Sequence, residues 1–399
     1  MSAPHAPTEP QLFVGLMSGT SLDGVDAVLI DFSDSTNPHV LGHSFLAFPS
    51  EFKFELMALN EGCQEELHRS HLAANRISEL YAQCTLDLLQ STRRSHEQIR
   101  ALGAHGQTVR HQPGLHDAWG YTTQLLNPAL LAELTHIDVV SDFRARDVAS
   151  GGQGAPLVPA FHQAIFSAPH QAVAVFNLGG MSNLSWLPQA HQPEELIGFD
   201  CGPGNVLLDL WCKRHLNMDF DRNGDWSLQG TVNTELLSQL LEEPFFKQAP
   251  PKSTGRDLFH ATWLDGHLKR FHAHTGTSPR PEDVQATLCA LTAESCLQSL
   301  AWVQALTSSS LKGLGRIVLC GGGALNLALV AEFQERTRQM FPTQAVELQT
   351  SKDLGWPVDQ IEASAFAWLA NQHLSKGFGN VPKVTGAKGP RVLGSHTPA

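Results

Sequence analysis

Two stretches of this chain share one pattern: an apolar run, a tight turn of glycines and hydroxyls, and a second apolar run. The first is FVGLMSGTSLDGVDAVLIDF, residues 13–32, and the second is QAVAVFNLGGMSNLSWL, residues 171–187. Short runs rich in β-branched and aliphatic residues, bounded by glycine, read as strands buried in a sheet. Recurrence of strand–turn–strand at the head of each half predicts an internal duplication. Two lobes would follow one plan, with the two turns facing each other across a cleft. A length of 399 residues accommodates two or three domains, and a hydrophobic fraction of 42% supplies real cores.

The first turn has a chemical use. Gly19 and Gly24 are expected to take positive φ and bring backbone N–H groups close to a ligand. Successive N–H groups with the Thr20 and Ser21 hydroxyls form a donor nest suited to phosphate. Asp23 and Asp26 would repel that phosphate unless a divalent cation or its water shell stands between them, which is how Mg²⁺ is held in phosphate sites. An ordinary hairpin with a polar tip is the competing reading. In the second copy the turn holds Gly179, Gly180, Ser182 and Asn183.

Other segments place chemistry at strand ends. Residues 101–104 read as a buried strand whose carboxyl end carries His105, Gly106, Gln107 and Thr108. Ligands collect at such ends in parallel sheets, although a satisfied loop histidine explains the same residues. Residues 137–140 form a short apolar run ending in Ser141, Asp142, Arg144, Arg146 and Asp147, before the glycine-rich SGGQGAP. Charge at a buried strand end is costly unless it is paired or used, so the cluster is either functional or an Asp–Arg network bracing a domain boundary. Asp200 precedes a Gly-Pro-Gly-Asn turn that opens an amphipathic helix, and Gly321–Gly323 form a further turn after an apolar strand. A helix over residues 68–90 is expected to bury Leu72, Ile77, Leu80, Tyr81, Cys84 and Leu88, and Asn127-Pro128 should cap and start another.

Composition removes several classes. A net charge of −12 argues against nonspecific nucleic-acid binding. The seven cysteines form no CxxC pair, and no HExxH is present, so neither a zinc ribbon nor a dithiol redox motif is indicated. Scattered thiols and the lack of a visible signal segment point to the cytoplasm, and no apolar run is long enough to cross a bilayer. There is no P-loop, no dinucleotide fingerprint and no protein-kinase motif set.

The segments GLMSGTSLDGVDAVL, GAHGQTVRHQP, VSDFRARDVASGGQGAPLVPAFH, NLGGMSNLS, FDCGPGNVLLD, PPKSTGRDLF, LCGGGALN and DLGWPVDQIEASAFAWLA follow in this order, and VTGAKGPRVLG comes near the end. Together they resemble the anhydro-N-acetylmuramic acid kinases. That resemblance implies the α/β, two-lobed actin/hexokinase-like ATPase fold, with a duplicated mixed β-sheet, flanking helices and a central cleft. The expected division is a first lobe over 11–140 completed by a helix over 361–375, a second lobe over 141–358, and an extended tail over 376–399. It implies a kinase that takes ATP, water and 1,6-anhydro-N-acetylmuramic acid, opens the anhydro bridge and leaves phosphate on the 6-oxygen. Neither a nucleic acid nor a membrane partner is expected, and a homodimer is left open.

By the same resemblance Asp142 is the base. Gly19, Thr20, Ser21, Leu22, Asp23, Gly24, Val25 and Asp26 cradle the ATP phosphates, with Asp23 set indirectly toward Mg²⁺. Gly179, Gly180 and Asn183 approach from the second lobe, and Gly321, Gly322, Gly323 and Asn326 line the adenosine pocket. His105, Gln107, Arg144 and Asp200 are candidates for the sugar, with Arg144 alternatively pairing with Asp142 and depressing its pKa. One position departs from the expected pattern, since Thr would stand at Cys201. Rival readings are a related kinase with another acceptor and a nucleotide-binding regulator without catalysis.

Overall fold

The computed structural model describes residues 11–19, 21–34, 37–189, 195–307 and 309–399. The chain divides into two compact units, Met1–Ile165 with Gln360–Ala399, and Phe166–Asp359.

In the first unit, β1 (Leu12–Met17), β2 (Gly24–Asp31) and β3 (His39–Ala47) form an antiparallel meander. Strands β4 (Ile99–Ala104) and β7 (Val139–Ser141) extend the sheet on the other side of β1, each parallel to its neighbour. A short strand near the carboxyl terminus, β13 (Ser395–Thr397), pairs antiparallel with β7. A separate hairpin is made by β5 (Gln107–Pro113) and β6 (Gly120–Leu125).

The second unit repeats the plan. Strands β8 (Ala172–Leu178), β9 (Met181–Leu187) and β10 (Ile197–Pro203) are an antiparallel meander. β11 (Leu314–Cys320) lies parallel to β8, and β12 (Glu347–Thr350) lies parallel to β11. The orders β3-β2-β1-β4-β7 and β10-β9-β8-β11-β12 are the same topology. The duplication inferred from the two turns is therefore a duplication of whole sheets.

Apolar faces make the layers. Helix Glu66–Thr92 buries Ile77, Leu80, Tyr81, Cys84 and Leu88 in a core shared with Val14, Leu16, Val25, Ala27 and Leu102. Leu72 was expected on that face and is instead 56% exposed. Arg76 and Glu79, four and seven residues further on, share its side of the helix and are exposed, while the core stripe begins at Ala73. Helix Ile361–Leu374 covers β1 and β4 so closely that a Cβ on Gly15 would stand 1.8 Å from the Ala363 carbonyl oxygen. A Cβ on Gly103 would stand 2.0 Å from that of Phe366. Gly15 and Gly103 face each other across the strand pair, so one small-residue notch seats the helix backbone on the sheet. In the second unit Phe176, Trp186, Phe199, Leu288, Leu291 and Phe333 belong to one core.

The division differs from the expected one. Residues 141–165 belong to the first unit, because β7 is a strand of its sheet. The tail also belongs there and is not simply extended: it holds helix Pro382–Thr385 and β13. Asn380 Nδ2 and Thr385 Oγ1 donate to the fully buried Asp147 carboxylate at 2.6 and 2.8 Å.

Candidate active site

The parallel strands set the site of the first unit. β7, β4 and β1 are neighbours, and their carboxyl ends run into Asp142, His105 and Ser18–Gly19 respectively. Adjacent strands lie about 4.8 Å apart, so three chemically loaded turns are held side by side on one rigid edge.

Hydrogen bonds join these turns. The His105 backbone N–H donates to the Leu16 carbonyl at 3.0 Å, and the Gln107 side chain donates to the Gly19 carbonyl at 3.2 Å. Ser18 Oγ lies 2.9 Å from the buried Tyr81 hydroxyl and donates to the Gly106 carbonyl at 3.3 Å. The phosphate-type turn is thus anchored to the HGQ turn and to the long helix behind it. Ser18 and Tyr81 were not singled out in the sequence. Tyr81 carried only a helical apolar spacing, which does not reveal its hydroxyl.

Positive φ in the first turn belongs to Leu22, at 60°, and to neither Gly19 nor Gly24. Leu22 is buried, and its N–H closes the turn on the Gly19 carbonyl at 3.2 Å. Gly24 is small for another reason: a Cβ there would meet the Leu46 carbonyl oxygen at 2.3 Å. Ser21 and Asp23 are exposed, Asp26 accepts from His43 Nε2 at 2.9 Å, and Val25 is a core residue. Thr20 lies outside the described residues.

Asp142 stands just past β7 with φ 55°, an uncommon conformation for a residue with a Cβ. Its surface is open, yet the protein mass around the carboxyl raises its pKa, offset in part by the Ala145 N–H. Arg144 does not pair with it. The guanidinium turns the other way, Nε donating to His105 Nε2 at 3.0 Å and Nη1 to the Gly154 carbonyl at 2.8 Å. Burial lowers the Arg144 pKa to about 10. His105 is 4% exposed, and burial first, then the charge of Arg144, holds its pKa well below the usual value. A neutral ring accepting at Nε2 carries its proton on Nδ1. Gln107 is fully buried, with Oε1 unpartnered.

The glycine-rich SGGQGAP is a braced loop. Asp147 Oδ2 accepts from the Gly154 N–H at 2.8 Å, and its backbone carbonyl accepts from Gly152 at 2.9 Å. The expected Asp–Arg bracing network is replaced by neutral donors on Asp147, namely Gly154, Asn380 and Thr385.

In the second unit the carboxyl ends of β8 and β11 are again neighbours. Gly204 and Asn205 donate their N–H groups to the carbonyls of Gly180 and Gly179 at 2.9 and 2.8 Å, and Asn205 Nδ2 donates to the Leu178 carbonyl at 2.9 Å. Gly321 has φ 80°, and a Cβ on Gly323 would lie 2.7 Å from Leu178 Cβ. The turns at Gly179–Gly180, Gly204–Asn205 and Gly321–Gly323 therefore form one continuous glycine surface. Gly322 belongs to that turn, Asn183 is half-buried in β9, and Asn326 caps helix Leu327–Met340 by accepting from the Leu329 N–H at 3.1 Å.

Asp200 lies inside β10, at a register break opposite Asn183, and the Gly202–Asn205 turn that follows opens helix Val206–Leu216 as expected. Its Oδ2 accepts from Ser253 Oγ and from the Thr254 N–H, both at 3.0 Å, which docks the PPKSTG segment onto the strand. Burial raises its pKa, against those two bonds and the charge of Lys252. Cys201 is buried, 3.2 Å from Ser299 Oγ, so the hydroxyl expected at that position is replaced by a thiol beside a serine. Ser253 and Thr254 were quoted only as part of a motif; their bonds to Asp200 span 53 and 54 residues, beyond any local sequence signal.

Comparison with known proteins decides the lineage. A family model described as anhydro-N-acetylmuramic acid kinase matches residues 11–399. The chain belongs to the anhydro-N-acetylmuramic acid kinase family. A protein of that name from Cupriavidus metallidurans is 47% identical, covering 99% of this chain and 100% of that one. Another from Variovorax paradoxus is 50% identical, covering 98% and 99%. A solved glucokinase from Streptomyces griseus covers 90% of this chain and 99% of its own at 13% identity and TM-score 0.40, a likeness too slight to argue from. Among the described residues, no helix is long and apolar enough to cross a membrane.

Proposed function

We propose that this family member is an ATP-dependent kinase acting on 1,6-anhydro-N-acetylmuramic acid. Water attacks the anomeric carbon and gives a proton to a carboxylate. The bond from that carbon to the bridging oxygen breaks, and the freed 6-oxygen attacks the γ-phosphoryl group. ADP leaves, and N-acetylmuramic acid 6-phosphate remains, in the recycling of cell-wall sugar within the cytoplasm.

Family membership over 11–399 supports the substrate. The place of the chemistry rests on the edge where Gly19, His105 and Asp142 follow three adjacent parallel strands. In the first unit the turn over residues 19–26 is the candidate for the ATP phosphates. In the second unit Gly179, Gly180, Asn183 and the Gly321–Gly323 turn with Asn326 are the nucleotide candidates. His105, Gln107 and Arg144 serve the sugar. Asp23 is exposed and in no ion pair of the described residues, while Asp26 is taken by His43, so Asp23 suits a water-mediated Mg²⁺. That ion, when bound, would neutralise charge on the β- and γ-phosphates.

Two carboxylates suit the base. Asp142, implied by the resemblance, is held by strand geometry with its proton affinity raised. Asp200 is a second reading with a specific observation behind it: it is the more deeply desolvated, and Oδ2 takes both of its hydrogen bonds, which leaves Oδ1 to receive a proton. A base works best with its pKa moved toward the operating pH, and such a group contributes roughly 10²–10⁴-fold. Kinetics of Asp142→Asn and Asp200→Asn with the anhydro sugar decide the choice. The base variant loses kcat in that range and retains ATP binding. Full activity in both variants would remove the carboxylate mechanism.

A further inference from the structure

Arg144 holds an incomplete set of partners. Of its five N–H groups, Nε is bonded to His105 Nε2 and one on Nη1 to the Gly154 carbonyl. Both acceptors are neutral. Among the described residues no ion pair includes Arg144, although the residue is largely withdrawn from solvent. The one fully buried carboxylate nearby, Asp147, has its oxygens occupied by Gly154, Asn380 and Thr385. Burial outweighs the charges of Glu362 and then Asp147, which favour the guanidinium, and its pKa is lowered, the state of a buried cation that no bonded anion compensates in full. His105 and Gly154 fix the plane of the group, so the remaining Nη1 and Nη2 hydrogens form a fork, the geometry that matches a carboxylate in two parallel bonds.

We infer that Arg144, oriented by His105 and Gly154, is the subsite for a carboxylate of the substrate, and that this pair of contacts sets preference for an acidic sugar over a neutral one. The inference rests on the kinase reading, whose substrate carries one carboxylate on its lactyl ether. A transferred phosphoryl group shares the anion chemistry. The carboxylate is favoured by position: β7 is two strands from β1, so Arg144 stands on the order of 10 Å along the edge from the phosphate turn, about the span of a sugar ring with its substituents. Gln107 Oε1, buried and unpartnered between them, supplies an acceptor for a hydroxyl or amide on the same ring. His105 is a positioning residue in this scheme, acting through Arg144.

The test compares 1,6-anhydro-N-acetylmuramic acid with its neutral methyl ester in initial-rate assays on the full chain. The wild type should prefer the acid by on the order of 10–100-fold in kcat/KM, the size of a charge-assisted bidentate contact. Arg144→Gln should raise KM for the acid enough to bring that preference within about threefold of parity. Arg144→Lys keeps charge without the fork and should restore part of it, and it serves alone if Arg144→Gln does not fold. His105→Gln should weaken the preference and leave part of it. Equal loss of kcat on acid and ester would assign Arg144 to the phosphoryl group and overturn the inference. An unchanged preference in the variants, or no preference in the wild type, would overturn it too, while leaving the kinase reading intact. Failure of the wild type to turn over the acid at all would instead strike the kinase reading.

Discussion

At the residue scale, function concentrates where side chains break the ordinary rules of burial. Asp142 and Asp200 have raised proton affinity, so whichever is the base must lose its proton for activity. The acid limb of kcat/KM is therefore expected above the usual carboxylate range, with activity falling as pH drops through it. Ser253→Ala removes a bond that lowers the Asp200 pKa, so that limb should move upward if Asp200 is the base and stay fixed if Asp142 is. Asp147 has a structural task. Asp147→Ala would leave the donors of Gly154, Asn380 and Thr385 unmatched in a buried place, at about 1–3 kcal/mol for a stranded group. Urea unfolding should show a loss of roughly 3 kcal/mol, and a change below 0.5 kcal/mol would refute the bracing role.

Elements explain why some of this was legible and some was not. The two glycine turns between apolar runs betray both meanders, because strand, turn and strand are contiguous. The N-cap at Asn127 was equally local, and its side chain accepts from the Leu130 N–H as that pattern requires. Strand β10 was not visible, since IGFDCGP owes its extended form to pairing with β9. The β5–β6 hairpin was hidden by polar residues around the HGQ turn. The orientation of Arg144 was missed because its partners, His105 and Gly154, lie 39 and 10 residues away. The notch under helix Ile361–Leu374 was illegible for the same reason. Gly103→Ala should cost about 1–3 kcal/mol, the usual penalty for overpacking, because a backbone carbonyl 2.0 Å from the new Cβ has to move. Thermal melting measures it, and a wild-type Tm would contradict the close seating.

For the whole molecule, one plan used twice yields two mixed sheets of the same strand order, and the chain places its glycine turns at the carboxyl ends of parallel strands in both. Buried histidines tie stability to pH. Burial pushes the His162 pKa to about 3 from 6.5, so the unfolded chain binds a proton that the native one excludes throughout that window. Stability is fully present above about 6.5 and declines as pH falls, by up to about 1.4 kcal/mol per pH unit for such a group. His162→Gln should flatten the decline in urea titrations between pH 7 and 4, and an unaltered slope would assign acid sensitivity elsewhere. The central claim is that ATP drives hydrolysis and phosphorylation of the anhydro sugar together. The most direct measurement follows ADP release with 1,6-anhydro-N-acetylmuramic acid in ¹⁸O water, and reads the sugar product by mass. The account expects one ADP per 6-phosphorylated sugar, with label at the anomeric oxygen. ADP release without that label, or no turnover by folded protein, would contradict it.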